Sequence, residues 1–120
     1  MRYQRLEQRI EYRRRTPETP TAKLVNTLAI AYRDCGEFDL SISAAEETVR
    51  IDPGYSDANV TLCLDLALNG DDAQAADIAE QILTKSPDFK VTEYTQQHPY
   101  RDTAVLERIA GALKLVGLPG

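Results

Sequence analysis

The chain has no tryptophan, one histidine and two cysteines among its 120 residues. With a single imidazole, and with Cys35 and Cys63 28 positions apart, no ligand set of zinc spacing assembles. No metal is expected, and the two thiols read as reduced core side chains. No apolar run approaches the ~20 residues of a membrane helix, so no membrane insertion is expected. The start is Arg-rich and lacks the apolar stretch of a secretory signal, which makes the cytoplasm the expected compartment.

Enzyme signatures are also missing. There is no Gly-rich phosphate loop and no nucleophile elbow. Asp71-Asp72 and Glu46-Glu47 are adjacent in sequence, and neighbours on a helix do not face each other, so neither pair is a carboxylate dyad. His98 precedes Pro99 in a turn-like stretch and suits a local bond to a carbonyl rather than general-base work. No catalytic residue, no cofactor and no enzymatic activity is expected.

What is present is ordinary for one globular domain: 42% hydrophobic and 28% charged residues. A chain of this length buries roughly two thirds of its unfolded surface. Net charge is −5 but uneven. Residues 1–15 hold six arginines against Glu7 and Glu11, which leaves eight basic and seventeen acidic side chains beyond them, a net −9. That acidic body repels nucleic acid and anionic membranes, so neither is an expected partner.

The chain repeats itself. An offset of 34 carries Gly36 onto Gly70, Pro53 onto Pro87, Leu28 onto Leu62, Val49 onto Leu83 and Tyr55 onto Phe89. Ile51 onto Lys85 is a mismatch near a helix end. In the first unit Ala22–Cys35 reads as a helix whose apolar stripe is Val25, Leu28, Ala29 and Tyr32. Gly36 ends it at low conformational cost. Phe38–Ile51 reads as a second helix with Ser41, Ile42, Ala44, Ala45 and Val49 inward, closed by Pro53. The second unit follows the same plan. Ala58–Asn69 turns Leu62, Cys63 and Leu66 inward, Gly70 stops it, and Asp71 or Asp72 is placed to cap the next helix. That helix turns Ala75, Ala76, Ala79, Ile82 and Leu83 inward and ends before Pro87. Small residues at Ala29, Ser41, Cys63 and Ala75 let the helices of a unit approach closely.

On these residues the chain resembles the tetratricopeptide-repeat (TPR) family, whose period is 34. The resemblance covers residues 22–89, with units at 22–55 and 56–89. It departs from the family pattern at Val25 and Asn59, where a large aromatic is usual, and at Ala45 and Ala79, where Tyr or Phe is common. It implies an all-α helical-repeat fold: two full TPR-like units, an N-terminal helix and a C-terminal capping helix.

Residues 1–20 read as a basic helix and linker, with Tyr3, Leu6 and Ile10 as a stripe and Thr16–Pro20 as a turn into the TPR-like domain at 21–120. Residues 90–120 form a capping segment. Val91–Gln97 suits a short helix closed by Pro99, and Asp102 or Thr103 caps a final helix over Ala104–Val116, with Val105, Leu106, Ile109, Leu113 and Val116 apolar. An open repeat stack needs such a cap. The wording of this tail is similar to the C-terminal ends of bacterial class III adenylate/guanylate cyclases that carry TPR units: His98-Pro99-Tyr100-Arg101-Asp102, Leu106-Glu107-Arg108, Ala112-Leu113-Lys114 and Gly117-Leu118-Pro119. That similarity implies a C-terminal regulatory or scaffolding domain. The cyclase metal-binding carboxylates have no counterpart here.

Repeat geometry assigns the partner-binding groove to the first helix of each unit: Lys23, Asn26, Ile30 and Arg33, with Asp57, Val60, Leu64 and Leu68. Some TPR proteins clamp a peptide carboxylate with Lys, Asn and Arg. Here those places hold Asn26, Ile30 and Thr61 without a matching basic pair, so that clamp is not expected. The open apolar row of Ile30, Val60, Leu64 and Leu68 would cover on the order of a few hundred Å², the scale of an interaction site. The bland alternative is that the final helix or residues 1–15 fold over it. The expected partner is a protein or peptide. The alternative is self-association, a homodimer that brings together two copies of an attached domain.

Overall fold

The computed structural model describes residues 21–98 and 100–120. The basic helix and linker expected over residues 1–20 lie outside the described residues. Among the described residues the regular structure is entirely helical: α1 (Ala22–Asp34), α2 (Phe38–Ile51), α3 (Ser56–Leu68), α4 (Asp72–Lys85), α5 (Val91–Gln96) and α6 (Thr103–Leu115). The expected α2 matches to the residue, the expected α1 and α5 end one residue earlier, α3 and α6 differ by one or two residues at both ends, and α4 ends before Pro87 as expected. The chain divides into two units between Thr61 and Leu62, within α3.

In the first unit, Thr21 starts α1 by accepting the Leu24 N–H on its hydroxyl. Val25, Leu28, Ala29 and Tyr32 are buried as one stripe against α2. At the other end Gly36 takes φ 78°. Its N–H donates to the Arg33 carbonyl at 2.9 Å, and the Glu37 N–H donates to the Tyr32 carbonyl at 2.9 Å. These two bonds satisfy carbonyls that a helix end would leave open. α2 returns with Ser41, Ala44, Ala45 and Thr48 buried, while Ile42 and Val49 are half-buried at the edge of that face. The turn Asp52–Tyr55 closes with a bond from the Tyr55 N–H to the Asp52 carbonyl, and Pro53 occupies the position where its fixed φ is an advantage.

The second unit repeats these bonds 34 residues on. Gly70 has φ 86°, its N–H donates to the Ala67 carbonyl, and the Asp71 N–H donates to the Leu66 carbonyl at 2.8 Å. The Ser86–Phe89 turn closes as Asp52–Tyr55 does, with Pro87 in the place of Pro53. The side-chain cap expected of Asp71 or Asp72 is not made: Asp72 is the first residue of α4. Asp71 occupies the N-cap position without a side-chain cap bond, because its carboxylate accepts from the Asn69 side-chain amide at 3.1 Å. The inward face of α4 is narrower than its alanines suggest. Ala75, Ala79 and Ile82 are buried, Leu83 is half-buried and Ala76 is exposed. One residue is 100° of rotation, enough to carry Ala76 off the buried stripe.

α5 has Val91 and Tyr94 buried and packs against α6. Asp102, not Thr103, caps α6, accepting the Ala104 N–H at 2.9 Å. Ile109, Leu113 and Val116 are buried, as is Leu118 beyond the helix. Val105 and Leu106 of the expected apolar face are half-buried.

Candidate functional site

In the first unit α1 carries Lys23, Asn26, Ile30 and Arg33. Three- and four-residue spacing stacks them along one side of the helix. Lys23 is exposed and Ile30 half-buried, whereas Asn26 and Arg33 are buried. Arg33 Nε lies 4.0 Å from the exposed Asp34 carboxylate.

The Asn26 side chain neighbours the Tyr55 hydroxyl, on the residue that precedes α3, and favours its ionised form. Asp57, exposed in the first turn of α3, lies close enough to act on the same hydroxyl. The Tyr55 phenol is raised above its ordinary value, first by burial and then by the Asp57 charge, with Asn26 opposing. The structure thus brings Asn26 and Asp57 together through Tyr55, a residue that sequence reasoning used only as a repeat landmark. Its place immediately before α3 was the available signal.

The groove residues of α3 are placed differently from the expectation of an open row. Val60 is 2% exposed and Leu64 0%. Every residue from Ala58 to Leu66 is buried. Nine consecutive positions sweep every face of a helix, so this stretch is core on all sides. Leu64 therefore offers no surface to a partner. Leu68, one turn later, is half-buried. Of the groove residues, Lys23, Ile30, Asp57 and Leu68 retain accessible surface.

Polar atoms are buried inside this core. Asn26 Oδ1 and Thr61 Oγ1 have no hydrogen-bond partner among the described residues. Asp65 is wholly buried as well. The sequence reading placed Thr61 only at a clamp position of the groove and did not single out Asp65, because residue type alone says polar and solvated.

In the second unit four rings lie in sequence. Phe89 and Tyr94 have centroids 6.2 Å apart, Tyr94 and His98 4.2 Å, and His98 and Tyr100 6.4 Å. His98 thus sits between two tyrosine rings. Cys63 is buried and its Sγ contacts the Ala75 carbonyl at 3.4 Å, while Cys35 is exposed. Burial pushes the Cys63 thiol up to about 12. Among the described residues no group of His, Cys, Asp and Glu is arranged to hold a metal ion. Among them, too, no helix is long and apolar enough to cross a membrane. Comparisons with family models, with curated proteins and with solved structures return no match to this chain.

Proposed function

We propose that this chain is a protein-interaction module of the TPR kind, acting by binding a protein or peptide and not by catalysis. The observation that carries this reading is the recurrence, at 34 residues, of the same glycine-terminated helix, the same pair of capping bonds and the same proline turn. Repeats of this kind stack supersecondary units to present extended binding surfaces. On the first unit the presenting side is α1, with Ile30 as the apolar anchor and Lys23 as a charged selector, and Asp57 at the start of α3 is a second selector. An amphipathic helix or an extended segment fits such a side. The tail similarity supports a narrower version, a C-terminal regulatory or scaffolding domain related to TPR-bearing cyclases and working in the cytoplasm.

The test is selection from a displayed peptide library against the full chain, followed by titration of the selected peptides against Ile30→Asp. Loss of binding with an unchanged helical spectrum supports the reading. Peptides that bind both proteins equally, or a selection that yields none, overturn it.

Leu115 favours a second reading. It is 81% exposed, the one large hydrophobic side chain left exposed among the described residues. A self-association surface on α6 would cover it. Light scattering over a wide concentration range separates the two readings. A dimer that Leu115→Lys converts to monomer favours self-association, and a monomer at every concentration favours a partner in trans.

A further inference from the structure

α5 is six residues long. A helix of that length does not hold itself in water, where isolated helices shorter than ~12–15 residues are marginal. Its N-cap, Lys90, makes no side-chain cap bond. The first N–H of the helix, that of Val91, is instead satisfied from far along the chain: it donates to the Pro119 carbonyl at 2.8 Å.

Pro119 is placed there by the end of α6. Gly117 takes φ 110°, its N–H donates to the Lys114 carbonyl, and the Leu118 N–H donates to the Leu113 carbonyl at 3.2 Å. This turn reverses the chain and directs Leu118 inward, where it is 3% exposed. Val91 and Leu113 are wholly buried in the same unit. One backbone bond thus fastens the tail to the start of α5, beside a buried leucine. The segment that follows is cohesive in itself, because the rings of Phe89, Tyr94, His98 and Tyr100 touch in series.

We propose that Gly117–Pro119 is a latch. It holds α5 on α6 through the Val91–Pro119 bond and the buried Leu118 side chain, and its release lets residues 89–98 open as one unit and uncover the apolar face of α6. The opening is local, because proteins unfold in cooperative pieces whose stability tracks their own buried contacts. Ile109 and Leu113 of α6 and Tyr94 of α5 are apolar side chains buried in this unit. The device is independent of which partner the chain binds.

Hydrogen exchange read by mass spectrometry on the full chain tests it. Leu118→Ala removes most of the buried side chain, and exchange of residues 91–96 should rise about tenfold or more. Exchange over residues 22–51 should stay at the wild-type rate. Leu118→Met, which conserves volume, should keep wild-type protection throughout. Leu118→Val is the milder variant should Leu118→Ala fail to fold, and it should give a smaller acceleration confined to the same segment. Unchanged exchange of 91–96, a wild-type α5 without protection, or equal acceleration over 22–51 would each overturn the latch.

Discussion

The hydroxyl of Ser41 donates to the main-chain carbonyl of Ala29 at 2.6 Å, twelve residues earlier in the chain. Both residues are wholly buried, and the bond joins α1 to α2 directly. Thirty-four residues on, the same two places are Cys63 and Ala75, and there the bond runs the other way: the Cys63 thiol meets the Ala75 carbonyl. The two units thus share a close-approach site and differ in which helix supplies the donor. Only a small side chain fits at such a place, and a polar one adds a bond across the interface. Ser41→Ala should cost about 1 kcal/mol, the net value of one hydrogen bond. Ser41→Leu should cost about 1–3 kcal/mol by overpacking. Urea unfolding followed by circular dichroism measures both, and a neutral Ser41→Leu would mean that the helices do not meet there.

The glycines that end α1 and α3 offer a cleaner comparison. A Cβ added at Gly36 or Gly70 meets nothing within 4 Å, yet both backbones lie at positive φ. The cost of alanine is therefore conformational alone. Gly36→Ala and Gly70→Ala should each destabilise by about 1–2 kcal/mol, and by similar amounts. Unequal costs in denaturant titrations would show that one of the two turns is not built as the other.

Helix caps should divide into two classes. Thr21 and Asp102 make side-chain cap bonds, and Asp71 does not. Thr21→Ala and Asp102→Ala should each cost about 1 kcal/mol. Asp71→Ala should cost less, since it loses an exposed bond to Asn69 rather than a helix cap. Thermal melts of the three variants rank them.

The two cysteines should differ in reactivity. Exposed Cys35 should react with a thiol reagent in the native protein, and Cys63 only after unfolding. Burial raises the Cys63 thiol from 9.0 to about 12, so the fold prefers the neutral form. The stability due to that preference is complete below pH 9 and is lost as pH rises from 9.0 towards 12. Within that window its slope approaches about 1.4 kcal/mol per pH unit. Cys63→Ala should flatten the alkaline fall in urea midpoint, and an identical fall in the variant would remove Cys63 as a cause.

Much of the architecture was legible because its signals are local. Gly36 and Gly70 mark helix ends since a left-handed residue closes the last turn wherever it occurs. Pro53 and Pro87 mark turns since they lack an N–H. The 34-residue offset of these landmarks appears in the hydrogen bonds themselves. The candidate site was less legible. Repeat geometry grouped Val60 and Leu64 with Ile30 as an open row, yet α3 is buried on every side from Ala58 to Leu66. The clue was present but ambiguous: Val60, Leu62, Cys63, Leu64 and Leu66 leave no polar stripe, a pattern that fits either a sticky groove or a central helix.

The amino-acid sequence by itself determined the helices to within a residue or two at their ends, that two units share one plan, and which small residues allow close approach. Each of these follows from the conformational preferences of one residue or of a few neighbours. Only the tertiary structure decided which helical faces keep access to solvent. It buried Leu64 while leaving Ile30 partly open, set Asn26 near Tyr55, and carried Pro119 back to the start of α5. Burial depends on which surfaces the rest of the fold covers, and residues such as Val91 and Pro119, 28 positions apart, become neighbours only when the chain turns back on itself.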